Sequence, residues 1–217
     1  SEQISAGLLT SSNGLVSTAH WAGNVFTGGG PDGRAVFRPG HEGYGANFID
    51  LTGVGQPTEV IVQHIEVHME NNRWGHGIMV NSVVDGTIGH VHDCIVSGSG
   101  YLSGSTITES VEVGIAADTV TTCLVYGKIK DGINAATSAY NNTVVLDNMS
   151  LTGKGISGGS IKNNLVLTSG TNFANRYTGA ALGIDSGGGN GNISDSRTQV
   201  NNYFTDAAND DYTLKLN

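Results

Sequence analysis

Several residue types that most chains use freely are scarce in this one. Its 217 residues include only 3 prolines and 2 cysteines, and charged residues make up 13% of the chain. Two cysteines do not build the disulfide framework of a small secreted domain. Only 10 Lys and Arg residues are present, at a net charge of -9, and they form no basic stripe that could follow a phosphate backbone. We therefore expect no nucleic-acid partner.

Long hydrophobic runs are also missing. The sequence has no apolar stretch of about 18 residues, which a membrane-spanning helix would need. The first residues, SEQISAGLLT, lack the basic region and the long apolar segment of a signal peptide. We expect no membrane partner, while trimming of a precursor leaves secretion open.

Glycine is the residue that the chain has in abundance. It contains 33 glycines, and 38% of its residues are hydrophobic, which is the composition of a folded, turn-rich protein rather than a disordered one. Short segments rich in Val, Ile and Thr lie between Gly, Asn and Ser residues, which favours strands over helices throughout. The sequence predicts an all-β protein of one continuous domain.

A short phrase recurs along the chain, most clearly as YNNTVV at 140 to 145 and KNNLVL at 162 to 167. In each copy one residue precedes a short strand and is followed, two positions later, by an apolar side chain. The residues placed in this column are Gln63, Cys94, Cys123, Asn142, Asn164 and Asn202. The column predicts stacked coils in which an inward Asn bonds to the Asn and backbone of the next coil. Cys94 and Cys123 are expected to be small, reduced substitutes in the core, with a disulfide between adjacent coils as the alternative.

A Gly-Ile pair separates successive phrases. The pairs are Gly77-Ile78, Gly114-Ile115, Gly132-Ile133, Gly155-Ile156 and Gly183-Ile184. The column residues lie 31, 29, 19, 22 and 38 positions apart, which varies too much for repeats made of helix pairs. Coils of short strands tolerate such insertions, because extra residues sit in loops exposed to water.

The phrases YNNTVV and IKNNLVL and the intervening GKGISGG resemble right-handed parallel β-helix proteins, the pectate-lyase-like superfamily that includes phage tailspikes and appendage proteins. The terminal NYFTDAANDDYTLKLN is similar to the closing segment of many such proteins, especially those of phages. The resemblance covers about residues 59 to 217. It implies a right-handed parallel β-helix closed by a C-terminal strand. The six phrases, with one further turn from the N-terminal segment, predict about six or seven coils. Residues 1 to 58 are loop-rich and are expected to form an N-terminal cap and the first irregular coils.

Clustered carboxylates are the first candidates for chemistry, because polysaccharide-cleaving β-helices use them as acid and base or as calcium ligands. The weak catalytic candidates are Asp118, Asp131 and Asp147, with Glu112 nearby if coils stack. An Asp before Gly, as at Asp131, is more often a turn residue. The acidic calcium ligands and catalytic Arg of the family's lyases have no recognisable match.

Histidines and aromatic residues offer two further sites. His64 and His68 lie at even spacing in one segment, as do His90 and His92, and each pair is expected to share a strand face. Ordinary surface histidines are commoner than metal ligands, so we predict no metal and no cofactor. Trp74 and Arg73 in ENNRWGHG, together with Tyr126, are weak candidates for stacking on and reading a sugar, against burial at a coil turn.

The function expected from these features is a non-enzymatic structural or adhesive β-helix subunit. The resemblance implies a phage appendage or decoration protein on a virion or cell exterior, with surface glycans as ligands. Alternatives are a polysaccharide depolymerase, which needs an acidic cluster with Arg or Lys in one groove, and an extracellular filament subunit, which needs ends that stack. Because short solenoids gain stability by association, we expect a homo-oligomer or a larger virion or filament assembly.

Overall fold

A computed structural model describes most of the strand-forming part of the chain. The described residues are 16–17, 25–27, 35–37, 49–50, 59–70, 75–80, 88–103, 106–109, 111–147, 153–168, 177–178, 191–209 and 211–215.

These residues form twenty strands, one short α-helix and two 3₁₀ helices of three residues each. The strands as far as the middle of the chain are β1 (Val16–Ser17), β2 (Val25–Thr27), β3 (Ala35–Phe37), β4 (Ile49–Asp50), β5 (Glu59–Gln63), β6 (Ile65–Glu70), β7 (His76–Met79), β8 (Ile88–His92), β9 (Ile95–Ser103) and β10 (Thr106–Glu109). The later strands are β11 (Val111–Thr121), β12 (Leu124–Gly127), β13 (Ile129–Tyr140), β14 (Thr143–Leu146), β15 (Ile156–Lys162), β16 (Leu165–Thr168), β17 (Tyr177–Thr178), β18 (Ile193–Ser196), β19 (Phe204–Asp206) and β20 (Asp211–Leu214). The helix is α1 (Val200–Tyr203).

The strands stack in three parallel rows. The first row is β1, β4, β7, the N-terminal parts of β11, β13 and β15, and β17. The second row is β2, β5, β8 and the C-terminal parts of β11, β13 and β15, which join the two rows into one ten-stranded sheet. The third row is the eight-stranded sheet of β3, β6, β9, β12, β14, β16 and β18, with β10 as an antiparallel arm on β9. The chain is mostly β with parallel stacking, as predicted, and this arrangement is consistent with a parallel β-helix.

Short strands before residue 58 join the same rows. β1, β2 and β3 pair in parallel with β4, β5 and β6. The predicted division between a cap at 1–58 and a helix at 59–217 stays a prediction, since most of the first 58 residues lie outside the described part.

Aliphatic side chains from all three rows form the core. In β5 and β8 alternate residues are buried, as the period of two in a strand requires. Ile115 on the first row pairs with Ile78 and Ile133, and all three are fully buried. Burying each such side chain stabilises the fold by about 2 kcal/mol.

The Gly-Ile pairs coincide with this core column. Ile78, Ile115, Ile133 and Ile156 stack in register, and the next strand places Tyr177 beside Ile156. The fifth predicted pair, at 183 and 184, lies outside the described residues. A Cβ on Gly132 would lie 2.6 Å from the Gly155 carbonyl oxygen and 2.6 Å from Val144 Cγ1. The Gly is therefore required where one coil rests on the next.

A tight turn connects the second row to the third at each of the five places where the structure describes both strands and the residues between them. The residue at this turn has a positive φ, and the residues that adopt it are His64, Asp93, Thr122, Asn141 and Asn163; Gly191, just before β18, also has a positive φ. Asn and Asp tolerate this left-handed region better than other side chains, and Gly does so without strain. A single left-handed residue turns the chain from one sheet toward the other.

In the later coils the residue after the turn is an asparagine, and these asparagines form a buried ladder of hydrogen bonds. Asn142 Nδ2 donates to the Val120 carbonyl at 3.0 Å, and Asn164 Nδ2 donates to Ala139 at 2.9 Å. The Asn164 side-chain oxygen accepts the Asn142 backbone N–H at 2.9 Å. Both asparagines are almost completely buried. Their polar groups are satisfied inside the core, which is the condition for burying them without a large cost.

Two free, buried cysteines occupy the same position in earlier coils. The thiols of Cys94 and Cys123 lie 3.8 Å from the carbonyls of Val62 and Val91. Burial raises the pKa of the Cys94 thiol well above its ordinary value, so the thiol remains a protonated donor.

The predicted ladder was wrong at both ends. Strand register places Ile65, not Gln63, beside Cys94, because Glu66 pairs with Ile95. At the other end Asn192 Oδ1 accepts the Asn164 backbone N–H at 3.1 Å. Asn202 instead lies exposed in α1. The 38-residue interval from Asn164 to Asn202 is therefore incorrect, because the next residue of the ladder after Asn164 is Asn192, 28 positions later.

The C-terminal segment returns along the outside of the third row. A fully buried Phe204 packs there with Val145, Leu165 and Leu167 of the sheet. Arg197 Nε donates to Asp147 Oδ1 at 3.1 Å, which ties the segment to the end of β14. β19 and β20 then form an antiparallel hairpin. The described part of the segment therefore covers a side of the sheet.

Candidate functional site: a histidine-lined groove

The three candidate catalytic carboxylates lie apart and each holds a structural contact. Asp118 Oδ2 accepts the Gly89 backbone N–H at 2.7 Å, and Asp131 Oδ1 accepts the Lys154 backbone N–H at 2.8 Å. Asp147 pairs with Arg197. Among the described residues no hydrogen bond joins any two of these three carboxylates.

Glu112 forms a separate ion pair with Lys130, with Nζ and Oε1 2.5 Å apart. The hydrogen bond that Lys130 donates to Glu112 raises the pKa of Lys130, and the charges of Glu112 and Asp131 act in the same direction. Lys130 is therefore held as a cation, which is the opposite of what a general base requires.

The candidate sugar-reading residues are divided between two regions. Trp74 and Arg73 lie outside the described residues. Tyr126 is half-buried on β12, and its ring centroid lies 4.7 Å from that of Tyr212 in the C-terminal hairpin. One face of Tyr126 thus packs against protein, which supports the burial alternative for this residue.

The first histidine pair does not share a face. His64 is the left-handed turn residue, and its Nδ1 lies 2.7 Å from Asp93 Oδ2. His68 lies beyond the turn on β6, in the third row. The expectation from even spacing was wrong because the positive φ at His64 ends one strand and begins the next.

His90 and His92 do share a face, and with residues of neighbouring strands they line a groove on the second row. Strand register places Thr119 beside His90 and Thr121 beside His92. Glu59 closes one side, with its Oε1 3.2 Å from His90 Nε2. The groove has a volume of about 220 Å³.

Electrostatics in the groove favour neutral imidazole at His92. Burial lowers the pKa of His92 from its ordinary value of 6.5, and the nearby His64 and His90 lower it further, while Asp93 opposes them. The edge of the His64 ring meets His92 at a centroid separation of 6.2 Å. A neutral imidazole offers one donor and one acceptor, which suits hydroxyl groups.

Polar side chains continue from the groove along the second row. Ser138 pairs in register with Thr119 and Ser160, and Ser138 Oγ lies 3.4 Å from Thr119 Oγ1. Beside them Tyr140 donates to Ser160 Oγ at 3.0 Å. The polar side chains thus continue over several strands as two parallel columns, in which Ser138 is buried and its neighbours are partly exposed. We call these columns, with the groove at their start, the polar row.

Sequence reasoning identified the two histidines of the groove but missed Thr119, Thr121, Ser138 and Tyr140. The sequence does contain a pattern for them, because Thr119 and Thr121, and likewise Ser138 and Tyr140, are polar residues two positions apart at the end of a long strand. Recognising it required the strand register, which places residues about 20 positions apart side by side. Within the described part of the chain no group of three or more His, Cys, Asp or Glu residues is arranged to hold a metal ion.

Comparison with known proteins adds no assignment. A scan against protein-family models and searches of curated proteins and of solved structures returned no match to this chain. Across the described ranges, no helix has the length and apolar character needed to cross a membrane.

Proposed function

We propose that this protein is a rigid structural or adhesive subunit built as a closed, right-handed parallel β-helix. The order in which the described strands visit the three rows, from β1, β2 and β3 to β17 and β18, supports seven coils. Right-handed connection is the rule for parallel strands joined within one sheet system. A crystal structure that shows left-handed or open coils would contradict this part of the proposal.

The observation that carries the proposal is the polar row. Its side chains project from consecutive hydrogen-bonded strands, so their spacing is held at about 4.8 Å by the backbone ladder. Imidazole, hydroxyl and carboxylate groups at fixed spacing can exchange hydrogen bonds with the hydroxyls of an extended sugar chain. A rigid scaffold lowers the entropy cost of such binding, because its side chains are already ordered.

The contacts of the candidate carboxylates favour an adhesive role for the protein over cleavage of glycosidic bonds. Asp118 and Asp131 each accept a backbone N–H, and Asp147 holds the C-terminal segment through Arg197. These contacts belong to the scaffold and give each carboxylate a role that requires no substrate. We place the protein on a virion or cell exterior, where a phage appendage, a homo-oligomer or a larger assembly would use such a surface.

Binding to immobilised polysaccharides tests the proposal. The double variant Thr119→Val and Thr121→Val keeps the β-branched shape of both residues and removes two hydroxyls from the groove. We expect the wild-type protein to bind at least one bacterial or host surface polysaccharide, and the double variant to lose about tenfold in affinity. Ser157→Ala on the first row is the matched control and should bind as the wild type does.

The same samples distinguish the alternatives. Polysaccharide recovered after binding should keep its chain length, and shortening by the wild-type protein would favour a depolymerase. No binding to any member of a broad panel would contradict the adhesive function.

A further inference from the structure

Three polar side chains on the third row form a linked group away from the polar row. Ser97 on β9 lies directly beside His68 on β6 in the strand register. Ser97 Oγ lies 2.7 Å from His68 Nδ1, and His68 Nε2 makes a short hydrogen bond to Glu66 Oε1. The order of contacts is therefore hydroxyl, imidazole, carboxylate.

The carboxylate determines the direction of both hydrogen bonds. An ionised Glu66 can only accept, so the proton on His68 in its neutral form must lie on Nε2. His68 Nδ1 is then an acceptor, and the hydrogen bond to Ser97 requires the hydroxyl to donate. Ser97 thus directs its proton toward a base whose other nitrogen is held by a carboxylate. This is the polarity that converts a serine hydroxyl into a nucleophile.

Burial and backbone geometry hold the group in place. His68 is only 9% exposed, whereas Ser97 and Glu66 are partly accessible. The pairing of β6 with β9 shifts register just after Gly98, so Ser99 forms a bulge two residues from Ser97. Bulges interrupt the ladder and re-aim neighbouring side chains, and they are over-represented beside active sites.

We propose that Ser97 is a nucleophile that accepts acyl groups from esters, with His68 as its general base and Glu66 as the positioning residue. This activity goes beyond the adhesive function and does not depend on it, because it lies on a different row and acts on esters rather than on glycosidic bonds.

The reaction balances with water as the only co-substrate. Ser97 Oγ forms a bond to the acyl carbon while His68 Nδ1 takes the hydroxyl proton. The carbon–oxygen bond of the ester breaks, and the departing alcohol takes that proton from His68. Water then attacks the acyl-serine with His68 accepting its proton, and the carboxylic acid leaves as Ser97 recovers its own. Glu66 stabilises the transient imidazolium.

Covalent labelling tests the nucleophile without knowledge of the natural ester. Wild-type protein is treated with a fluorophosphonate probe, and the adduct is located by intact mass and peptide mapping. We expect one adduct at Ser97, no adduct in Ser97→Ala, and labelling slowed about 100-fold or more in His68→Asn. Glu66→Gln retains a hydrogen-bonding side chain but not the charge, and should label about tenfold more slowly.

Ser99→Ala is the matched control, because Ser99 lies on the same strand and is exposed. It should label at the wild-type rate, and p-nitrophenyl acetate should be hydrolysed in parallel with labelling across the series. A wild-type protein with a cooperative thermal transition and no adduct would overturn the proposal. An adduct at another serine, or labelling unchanged in His68→Asn, would overturn it equally. A purely structural trio would leave every serine unlabelled.

Discussion

At the scale of single residues, the same structural position accepts chemically different side chains that make the same contact. Asn142 and Asn164 donate to a carbonyl of the preceding coil through an amide, and Cys94 and Cys123 place a thiol against the equivalent carbonyl. In these four coils the position holds a small side chain with a donor, whereas the coil before Cys94 places the apolar Ile65 there. Asn adds an acceptor, which links each coil to the next as well.

Replacing Asn142 tests the ladder. Asn142→Ala removes the side-chain partner of the Cys123 backbone N–H and of the Val120 carbonyl, both inside the core. We expect the free energy of unfolding to fall by about 3 kcal/mol, measured by urea denaturation. Asn142→Cys keeps a donor and should lose about half as much. Equal losses in the two variants would show that the side-chain donor does not contribute to stability at position 142.

The pH dependence of stability tests the electrostatics of the groove. Burial and the neighbouring His64 and His90 lower the pKa of His92, with Asp93 opposing them. The folded protein therefore binds this proton less readily than the unfolded chain does. Stability should be greatest above the ordinary pKa of 6.5 and should fall as the pH decreases from there.

Urea midpoints measured between about pH 8 and pH 5, the range in which histidine titrates, test whether stability falls as the pH decreases. His92→Gln removes the titrating group, so its midpoint should depend less on pH over the same range. Identical slopes for variant and wild type would show that His92 contributes nothing to the pH dependence.

At the scale of elements, the spacing of the sequence repeat and the spacing of the coils agree only in part. The phrases around Asn142 and Asn164 are correctly aligned, since the two side chains are hydrogen-bonded. The Gln63 and Asn202 assignments failed, because the column is defined by the left-handed residue before it and not by an amide side chain. Histidine at position 64 lies in a segment of strand-forming residues, and its sequence does not distinguish a left-handed turn there from a continued strand.

The glycine column makes an element-scale prediction. Gly132→Ala would ordinarily stabilise a strand, because Ala restricts the unfolded chain. Here the new Cβ would contact the Gly155 oxygen and Val144 at 2.6 Å, where neither neighbour can move freely. We expect a loss of about 3 kcal/mol in the free energy of unfolding. Thr137→Ala, exposed on the same strand, should change it by no more than about 0.5 kcal/mol.

The C-terminal segment provides a second prediction about a structural element. Phe204 is fully buried, and its ring meets Tyr212 edge to face at 5.3 Å. Phe204→Ala should release the segment locally and expose the apolar patch of Val145, Leu165 and Leu167. Hydrogen exchange should then rise in residues 197–215 while β11 and β13 stay protected. Tyr212→Phe keeps both rings and should leave exchange unchanged, and global loss of protection in Phe204→Ala would contradict a local release.

At the scale of the whole molecule, stacked rows leave a strand with one partner at each end of the stack. β18 pairs only with β16 among the described strands, and β17 pairs only with β15. Strands at the edge of a sheet offer unpaired backbone groups to another chain. This geometry is consistent with the proposed homo-oligomer or larger assembly.

Light scattering across a wide concentration range measures that association. We expect either a fixed multiple of the chain mass or a mass that grows with concentration. Association through the ends should survive high salt, because backbone hydrogen bonding between strands depends little on screening. A strict monomer at every concentration would contradict the self-assembling subunit.

The recurring phrase was sufficient to predict parallel stacking, and the β-branched segments and the Gly and Asn residues were sufficient to predict strands and turns. Strands and turns could be predicted because they are local properties, set by side-chain volume and backbone preference within a few residues. Which residues become neighbours was visible only in the folded chain. It placed Thr119 beside His90, Ser97 beside His68, and Tyr126 under Tyr212. Such contacts depend on the register between coils of unequal length, and a one-residue shift in register moves every side chain to the opposite face.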